Sequence, residues 1–223
     1  AQTAIAWLKM KLQDQTQTLE GLLKKLKAAN EESKAQQFRQ IPVCLQHFFN
    51  EIQTHYCYHP ANYSILVSEA QRASIENVAY ITLNYDLFLE EALNKERGVV
   101  FDNISKYTPQ NEKWMYVKLH RSINWGMRFA KVHNPGDTVA AYLENISLLD
   151  LSKDLNHEIE VDYSYKSRPS THAAYRFYPA LSVPVDGEYK LNCPDEHVTK
   201  LKNFLKECKN FLIIGVSGKD QDL

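Results

Sequence analysis

The chain is poor in glycine and carries no glycine-rich nucleotide-binding loop. Only 7 of its 223 residues are glycine, which is few for a nucleotide-binding α/β protein. Neither G-x-G-x-x-G nor G-x-x-x-x-G-K-[ST] occurs in it, and these are the patterns of the usual dinucleotide turn and of the P-loop. The printed sequence therefore contains neither of these phosphate-binding turns.

A strong charge imbalance and a long apolar run are also missing. The formal net charge is -1, so no basic footprint points to nucleic acid or to an anionic membrane. No apolar run approaches the roughly 20 residues of a membrane span, and Lys9 and Lys11 interrupt the start of the chain, unlike a secretory signal. We expect a globular protein with neither membrane nor direct nucleic-acid contacts, long enough for one α/β domain or one domain with a small insertion.

The cysteines form no C-x-x-C pair, although there are four of them: Cys44, Cys57, Cys193 and Cys208. Zinc ribbons are built from such pairs, so this spacing argues against one. We predict no metal, and four free, mostly buried thiols in a reducing cytoplasm in preference to two disulfides.

Hydrophobic spacing divides the chain into a helical beginning and a strand-rich remainder. Apolar residues recur at helical intervals between Leu19 and Leu26 and again between Leu45 and Ile52, so residues 1–75 are predicted to be mostly helical. Further on, the predicted strands are Val78–Leu83, Val99–Phe101, Trp114–Leu119 and Phe211–Ile214. The predicted helices are Tyr85–Asn94, one around Tyr142–Leu151, and one that begins at Pro194 and Asp195.

These short, continuous apolar runs suit strands that are covered on both faces, as in a parallel sheet. The predicted fold class is therefore α/β, with a Rossmann-like doubly wound parallel sheet flanked by helices. Residues 121–168 carry no sharp motif and are predicted to form an irregular, insertion-like segment.

Polar residues follow three of the predicted strands. Asn84 comes just after the first of these strands, His120 after the second, and Gly215 and Ser217 after the last. Ligands of open parallel sheets bind beyond the carboxyl ends of the strands. If the strands are parallel, these four residues converge on one crevice.

Together these elements resemble the SIR2-like (sirtuin-fold) family, in the branch without a zinc ribbon that occurs in bacterial NAD-consuming antiphage defence proteins. The matching elements are T-x-N-Y-D at Thr82–Asp86, the acidic helix around Glu90 and Glu91, the K-L-H-G-S element at Lys118–Ser122 followed by Ile123–Trp125, and I-I-G-V-S at Ile213–Ser217 with Asp220 and Asp222 after it. Each is weak alone, but the three strand-end motifs stand in the family's order within residues 82–223.

The resemblance implies an NAD glycohydrolase, with NAD as substrate and no metal. Asn84 would hold the water or the ribose near the glycosidic carbon. His120 would act as general base toward the ribose hydroxyl or the attacking water. Asp86, in the same cofactor-binding loop as Thr82, would orient that loop and help to bind the nicotinamide end.

The last motif would bind the rest of the cofactor. Gly215 would let the backbone approach it closely, and Ser217 would offer a hydroxyl and an N–H to phosphate or ribose oxygens at a helix start. The resemblance further implies a homo-oligomer, and an additional sensor domain or partner protein outside this chain.

The sequence departs from the family at two points. The family's G-A-G-x-S turn after its first strand does not occur, so we expect a piece of a longer SIR2-like protein without that strand and turn. The glycine after the family's histidine is Arg121 here. Its side chain could close the pocket or reach a phosphate or a ribose, which makes it a further candidate cofactor-binding residue.

Two other functions stay open. A degenerate site could bind NAD or ADP-ribose without cleaving it, or serve only in assembly. An NAD-dependent protein deacylase is disfavoured because zinc-ribbon cysteine pairs are absent. Simpler roles also exist for the central residues, since Asn84 could merely cap the next helix and His120 could be a hydrogen-bonded histidine at a strand end.

Overall fold

The computed structural model shows a mixed α/β chain that divides into two compact units. The structure describes residues 11, 13, 17–56, 61–75, 77–110, 112–130, 139–162, 177–183, 185 and 193–214. The first unit comprises residues 1–56 and 122–188, and the second comprises residues 57–121 and 189–223. Among the described helices, none has the length and apolarity needed to cross a membrane.

Two helices open the described part of the first unit. Helix α1 spans Leu19–Lys27 and begins where the Thr18 hydroxyl accepts a hydrogen bond from the Gly21 N–H at 3.1 Å. Its buried residues are Leu22, Leu23 and Leu26. The leucine spacing that predicted this helix also predicted the face it buries, except for the half-exposed Leu19.

Helix α2 spans Glu32–Tyr56, and its predicted apolar stripe is only partly buried. Phe48 in the predicted apolar stripe is 59% exposed, whereas Ile41, Val43 and the polar Gln46 are buried. The Gln46 amide donates to the Ile123 carbonyl at 2.6 Å. A polar side chain can occupy the core face because this bond replaces the one it gives up to water.

In the rest of the first unit, two strands correct the prediction of an irregular segment over residues 121–168, whereas a helix confirms the one predicted around Tyr142–Leu151. Strand β3 covers Arg121–Arg128, helix α5 covers Val139–Leu148, β4 covers Glu160–Val161, and β5 covers Phe177–Leu181. The strands form a sheet of order β4-β3-β5, in which β3 and β4 are antiparallel. Periodicity missed β3 because Ser122 and Asn124 are polar yet buried.

The core of the first unit joins α2, α5 and β5. Its central cluster consists of Val43, Tyr142, Ile146, Leu149, Leu155 and Tyr178. The Tyr178 hydroxyl donates to the Arg39 carbonyl of α2 at 2.9 Å. This bond provides the buried tyrosine with a polar partner.

Gly126 in β3 lies too close to β5 for any side chain. A Cβ built there would be 2.9 Å from Cδ1 and 3.0 Å from Cβ of Phe177. We expect Gly126→Ala to lower the free energy of unfolding by about 1–3 kcal/mol, the usual cost of overpacking. Urea denaturation measures this change. In a Phe177→Gly background, which removes both of these atoms, the same substitution should cost less, and an equal cost in both backgrounds would contradict the steric explanation.

The second unit contains a parallel pair of strands with helices around it. Its elements in chain order are α3 (Ala61–Arg72), β1 (Val78–Thr82), α4 (Phe88–Arg97), a 3-10 helix (Ile104–Tyr107), β2 (Trp114–Lys118) and α6 (Asp195–Glu207). Strands β1 and β2 pair in parallel, with Val78 opposite Trp114 and Thr82 opposite Lys118. The parallel pairing and the positions of both strands confirm the sequence prediction.

Apolar contacts in the second unit attach α6 to the strands. Leu201 of α6 is buried with Val117 and Leu119, and Val198 packs against this cluster. Helix α3 packs against α4, which ends at Gly98 in the left-handed conformation that glycine adopts without strain.

Two predicted strands are wrong in this structure. Val99–Phe101 is a loop, in which the Val99 carbonyl accepts a bond from the Asn94 side chain at 2.9 Å. Phe211–Ile214 forms no strand, and its side chains are 66–76% exposed. An apolar run predicts a buried strand only when a neighbouring strand edge is available to pair with it, and composition does not reveal that edge.

Candidate functional site

The parallel register of β1 and β2 brings two of the predicted loops to the same edge of the sheet. Thr82 and Lys118 end the two strands opposite each other, and the Leu119 N–H donates to the Thr82 carbonyl at 3.0 Å. The chain then continues to Asn84 on one side and His120 on the other. The third predicted loop, with Gly215 and Ser217, lies outside the described residues.

The loop after β1 is organised by its own polar side chains. The Thr82 hydroxyl accepts a hydrogen bond from the Asn84 N–H at 3.1 Å. The Asp86 carboxylate accepts one from the Phe88 N–H at 3.1 Å, at the start of α4. Asp86, and not Asn84, therefore satisfies a free N–H in the first turn of this helix. The exposed Asn84 side chain has a different partner.

That partner is Tyr63, a residue of α3 that the sequence analysis missed. The Asn84 amide lies close enough to the Tyr63 hydroxyl to lower the pKa of that phenol as a hydrogen-bond donor. Burial raises the pKa of Tyr63, and the carboxylates of Asp86 and Glu90 raise it further against the contribution of Asn84, so this phenol stays neutral. No motif in the sequence indicates Tyr63, because it precedes the loop by a whole helix and a strand.

His120 is half-buried and faces Tyr85. Their ring centroids are 6.3 Å apart with the planes tilted by 34°. Burial raises the pKa of Tyr85 to about 12, so the Tyr85 side chain beside the imidazole is uncharged at physiological pH. The imidazole is thus held at the sheet edge against an apolar ring.

Arg121 has the backbone conformation of a glycine. Its φ is 70°, in the left-handed region that L-residues with a Cβ rarely adopt. Its guanidinium is largely buried, and this burial lowers the pKa of Arg121, against an opposing contribution from the thiol of Cys193. The backbone turns at this point in a way that favours glycine, although the chain has arginine.

Comparing two substitutions of Arg121 isolates this strain. Arg121→Gly and Arg121→Ala both remove the guanidinium, but only glycine relieves the left-handed backbone, which costs other residues roughly 1–2 kcal/mol. We expect the glycine variant to be the more stable of the two by about 1 kcal/mol in urea denaturation. At an unstrained strand position alanine is the more stable residue, so that order would refute a strained turn.

A buried polar cluster lies beneath the loop after β1. Lys118 is fully buried, and its ammonium lies 2.8 Å from a carboxylate oxygen of the buried Glu90. Tyr116 and Tyr107 donate to the same carboxylate at 3.0 and 3.3 Å. Burial raises the pKa of Glu90, although Lys118 lowers it. Burial, with Glu90 adding to it, also raises the pKa of Tyr116 well above its usual range.

Two surface grooves lie away from these residues. In the first unit, a groove of about 550 Å³ is lined by Glu32, Arg39 and residues 148–152. In the second unit, a groove of about 640 Å³ lies at the amino end of β2, where the Arg97 guanidinium is 5.8 Å from the centre of the Trp114 ring. The candidate residues follow the opposite end of that strand.

The described part of the chain shows no group of three or more His, Cys, Asp or Glu side chains placed to hold a metal ion. Cys44, Cys193 and Cys208 are free thiols, and Cys57 lies outside the described residues. Comparison with protein-family models, with curated proteins and with solved structures finds no match for this chain. The functional argument therefore depends on the geometry of the strand ends.

Proposed function

We propose that this chain is the SIR2-like NAD glycohydrolase domain of a prokaryotic antiphage defence protein. It would cleave the nicotinamide–ribose bond of NAD to give nicotinamide and ADP-ribose or a cyclic product. The observation that supports this best is the parallel register of β1 and β2, in which Thr82 is opposite Lys118. That register places the T-x-N-Y-D loop beside the K-L-H loop, as a shared NAD site requires.

The chemistry needs a positioned nucleophile and a proton acceptor. As the bond from C1′ of the ribose to the nicotinamide nitrogen breaks, its electron pair leaves with nicotinamide and positive charge develops on the sugar. A water held by Asn84 attacks C1′ and passes its proton to His120. Such a transition state is stabilised by oriented dipoles and requires no metal.

The rest of the site would bind the cofactor. Thr82 and Asp86 shape the loop that receives the nicotinamide end, and Arg121 offers its guanidinium to a phosphate or a ribose. Gly215 would let the backbone approach the cofactor closely, and Ser217 would bind phosphate or ribose oxygens. The β1–α4 order and the packing of α6 on β2 support a Rossmann-like doubly wound sheet. We expect the protein to be a cytoplasmic homo-oligomer that acts with a sensor domain or a partner protein.

One observation favours a second function, an NAD- or ADP-ribose-binding module without turnover. The family's glycine after the histidine is a strained, largely buried arginine in this chain. A bulky cation at that point could hold the ligand while preventing the approach of water.

The experiment that separates the two uses the full-length protein and NAD. Nicotinamide and ADP-ribose are followed by chromatography, and NAD binding is measured by calorimetry on the same preparation. Release of nicotinamide supports the glycohydrolase, whereas binding without release supports the module. If neither is observed, both proposals fail.

A further inference from the structure

We propose that Lys118 is a positioning residue, which holds the loop around Asn84 in its working conformation and is itself held by Glu90. This inference rests on the proposed function, because the loop is the one assigned to the nicotinamide end of NAD. Lys118 acts on the reaction through the backbone of Tyr85 and Asp86 and does not contact the substrate.

The hydrogen bonds of Lys118 are directed at that backbone. Its ammonium donates to the carbonyl of Tyr85 at 3.4 Å, to the carbonyl of Asp86, and to Glu90 Oε1 at 2.8 Å. These three acceptors equal in number the three N–H groups of an ammonium. A fully buried ammonium with three protein acceptors binds the protein and not a ligand.

The ammonium joins three elements of the second unit. Lys118 is the last residue of β2, Tyr85 and Asp86 belong to the loop after β1, and Glu90 lies in the first turn of α4. Asn84 directly precedes Tyr85 in the chain, and His120 follows Lys118 by two residues. One cation therefore fixes the loop of the first candidate residue relative to the strand that carries the second.

Stability alone does not account for a charge at this place. An apolar pair of similar volume is often as stable as a buried ion pair or more so. An apolar side chain, however, cannot donate to the carbonyls of Tyr85 and Asp86, and buried carbonyls need donors. The phenols of Tyr107 and Tyr116 then hold the Glu90 carboxylate that holds the ammonium.

The test compares Lys118→Met, Glu90→Gln and the double variant in the full-length protein. The double variant carries neither charge, so it keeps the test valid if a single variant fails to fold. Lys200→Met is the matched control, because Lys200 also donates to a backbone carbonyl, that of Thr108 at 2.6 Å, but far along the chain from the loop.

The first readout is amide hydrogen exchange without NAD, which does not depend on any activity. We expect exchange of the Asn84–Phe88 amides to be at least tenfold faster in the double variant and unchanged in Lys200→Met, with β2 and α6 as protected as in the wild type. Unchanged exchange in the loop would overturn the proposal. Faster exchange throughout β2 and α6 would overturn it too, since Lys118 would then be a general stabilising residue.

The second readout is steady-state NAD cleavage. A misplaced loop should lower kcat by at least tenfold and leave KM within about threefold, because Arg121, Gly215 and Ser217, which would bind the rest of the cofactor, lie outside the loop. Wild-type kcat in the double variant would overturn the positioning role. If the wild-type protein itself does not cleave NAD, the proposed function fails, and hydrogen exchange alone decides whether Lys118 holds the loop.

Discussion

His120→Ala should lower NAD cleavage by the full-length protein by about 100-fold or more, and Asn84→Ala should have a comparable effect. General acid–base groups contribute about 10²- to 10⁴-fold to enzymatic rates. Asn84 is exposed and His120 is half-buried, so neither substitution leaves a cavity in the core. We therefore expect the loss in kcat with little change in the free energy of unfolding.

The control for His120 is His157→Ala. His157 carries an exposed imidazole in the first unit, and Nε2 of this ring lies 3.4 Å from the Ser152 carbonyl oxygen. This variant should cleave NAD at the wild-type rate. If cleavage survives both His120→Ala and Asn84→Ala, the active site lies elsewhere. A parallel loss of activity and stability would instead assign the two residues a structural role.

The two parallel strands could be predicted from their short apolar runs, although Ile81 of β1 is 41% exposed. Tyr80 in β1, and Tyr116 and Val117 in β2, are all buried, and a polar residue follows each strand where the backbone reaches the sheet edge. Periodicity and strand-end chemistry together were sufficient to predict the two loops. They would fail for any site residue that does not follow a strand.

Tyr63 and Lys118 are residues of the candidate site whose roles periodicity and strand-end chemistry do not predict. Tyr63 reaches the site from a helix, so only tertiary packing places it beside Asn84. Lys118 lies within the K-L-H motif, but its sequence gives no sign that a lysine is fully buried there. Buried polar groups depend on partners that are distant in sequence, and hydrophobic patterns contain no information about those partners.

Strand β3 and the segment Phe211–Ile214 illustrate the same limit in opposite directions. β3 is buried although it contains Ser122 and Asn124, because its neighbours provide hydrogen bonds such as that from the Asp162 N–H to the Asn124 carbonyl at 2.6 Å. Phe211–Ile214 is exposed although it is wholly apolar. Composition predicts the preference of a segment for the core, but pairing decides whether it is buried.

Lys118→Met is expected to cost about 3–5 kcal/mol of the free energy of unfolding, because it leaves the Glu90 carboxylate buried without its counter-ion. Glu90→Gln should cost less, since its amide oxygen can still accept bonds from Lys118 and Tyr107, as Oε1 of Glu90 does. In the double variant no uncompensated charge remains. Its cost should therefore fall below the sum of the single costs by about 1–3 kcal/mol, the range of coupling between residues in one buried network.

A second ion pair in the same unit provides the comparison. Lys200 and Glu196 of α6 are also 2.8 Å apart, but Glu196 is 56% exposed. Coulomb energy at equal distance depends on the surrounding dielectric, and exposed pairs contribute about 1 kcal/mol or less. A urea denaturation cycle on Lys200→Met and Glu196→Gln should give a coupling well below that of Lys118 and Glu90. Equal coupling energies would show that burial does not strengthen the ion pair of Lys118 and Glu90. Glu90 would then hold the Lys118 ammonium no more firmly than an exposed carboxylate holds a surface lysine.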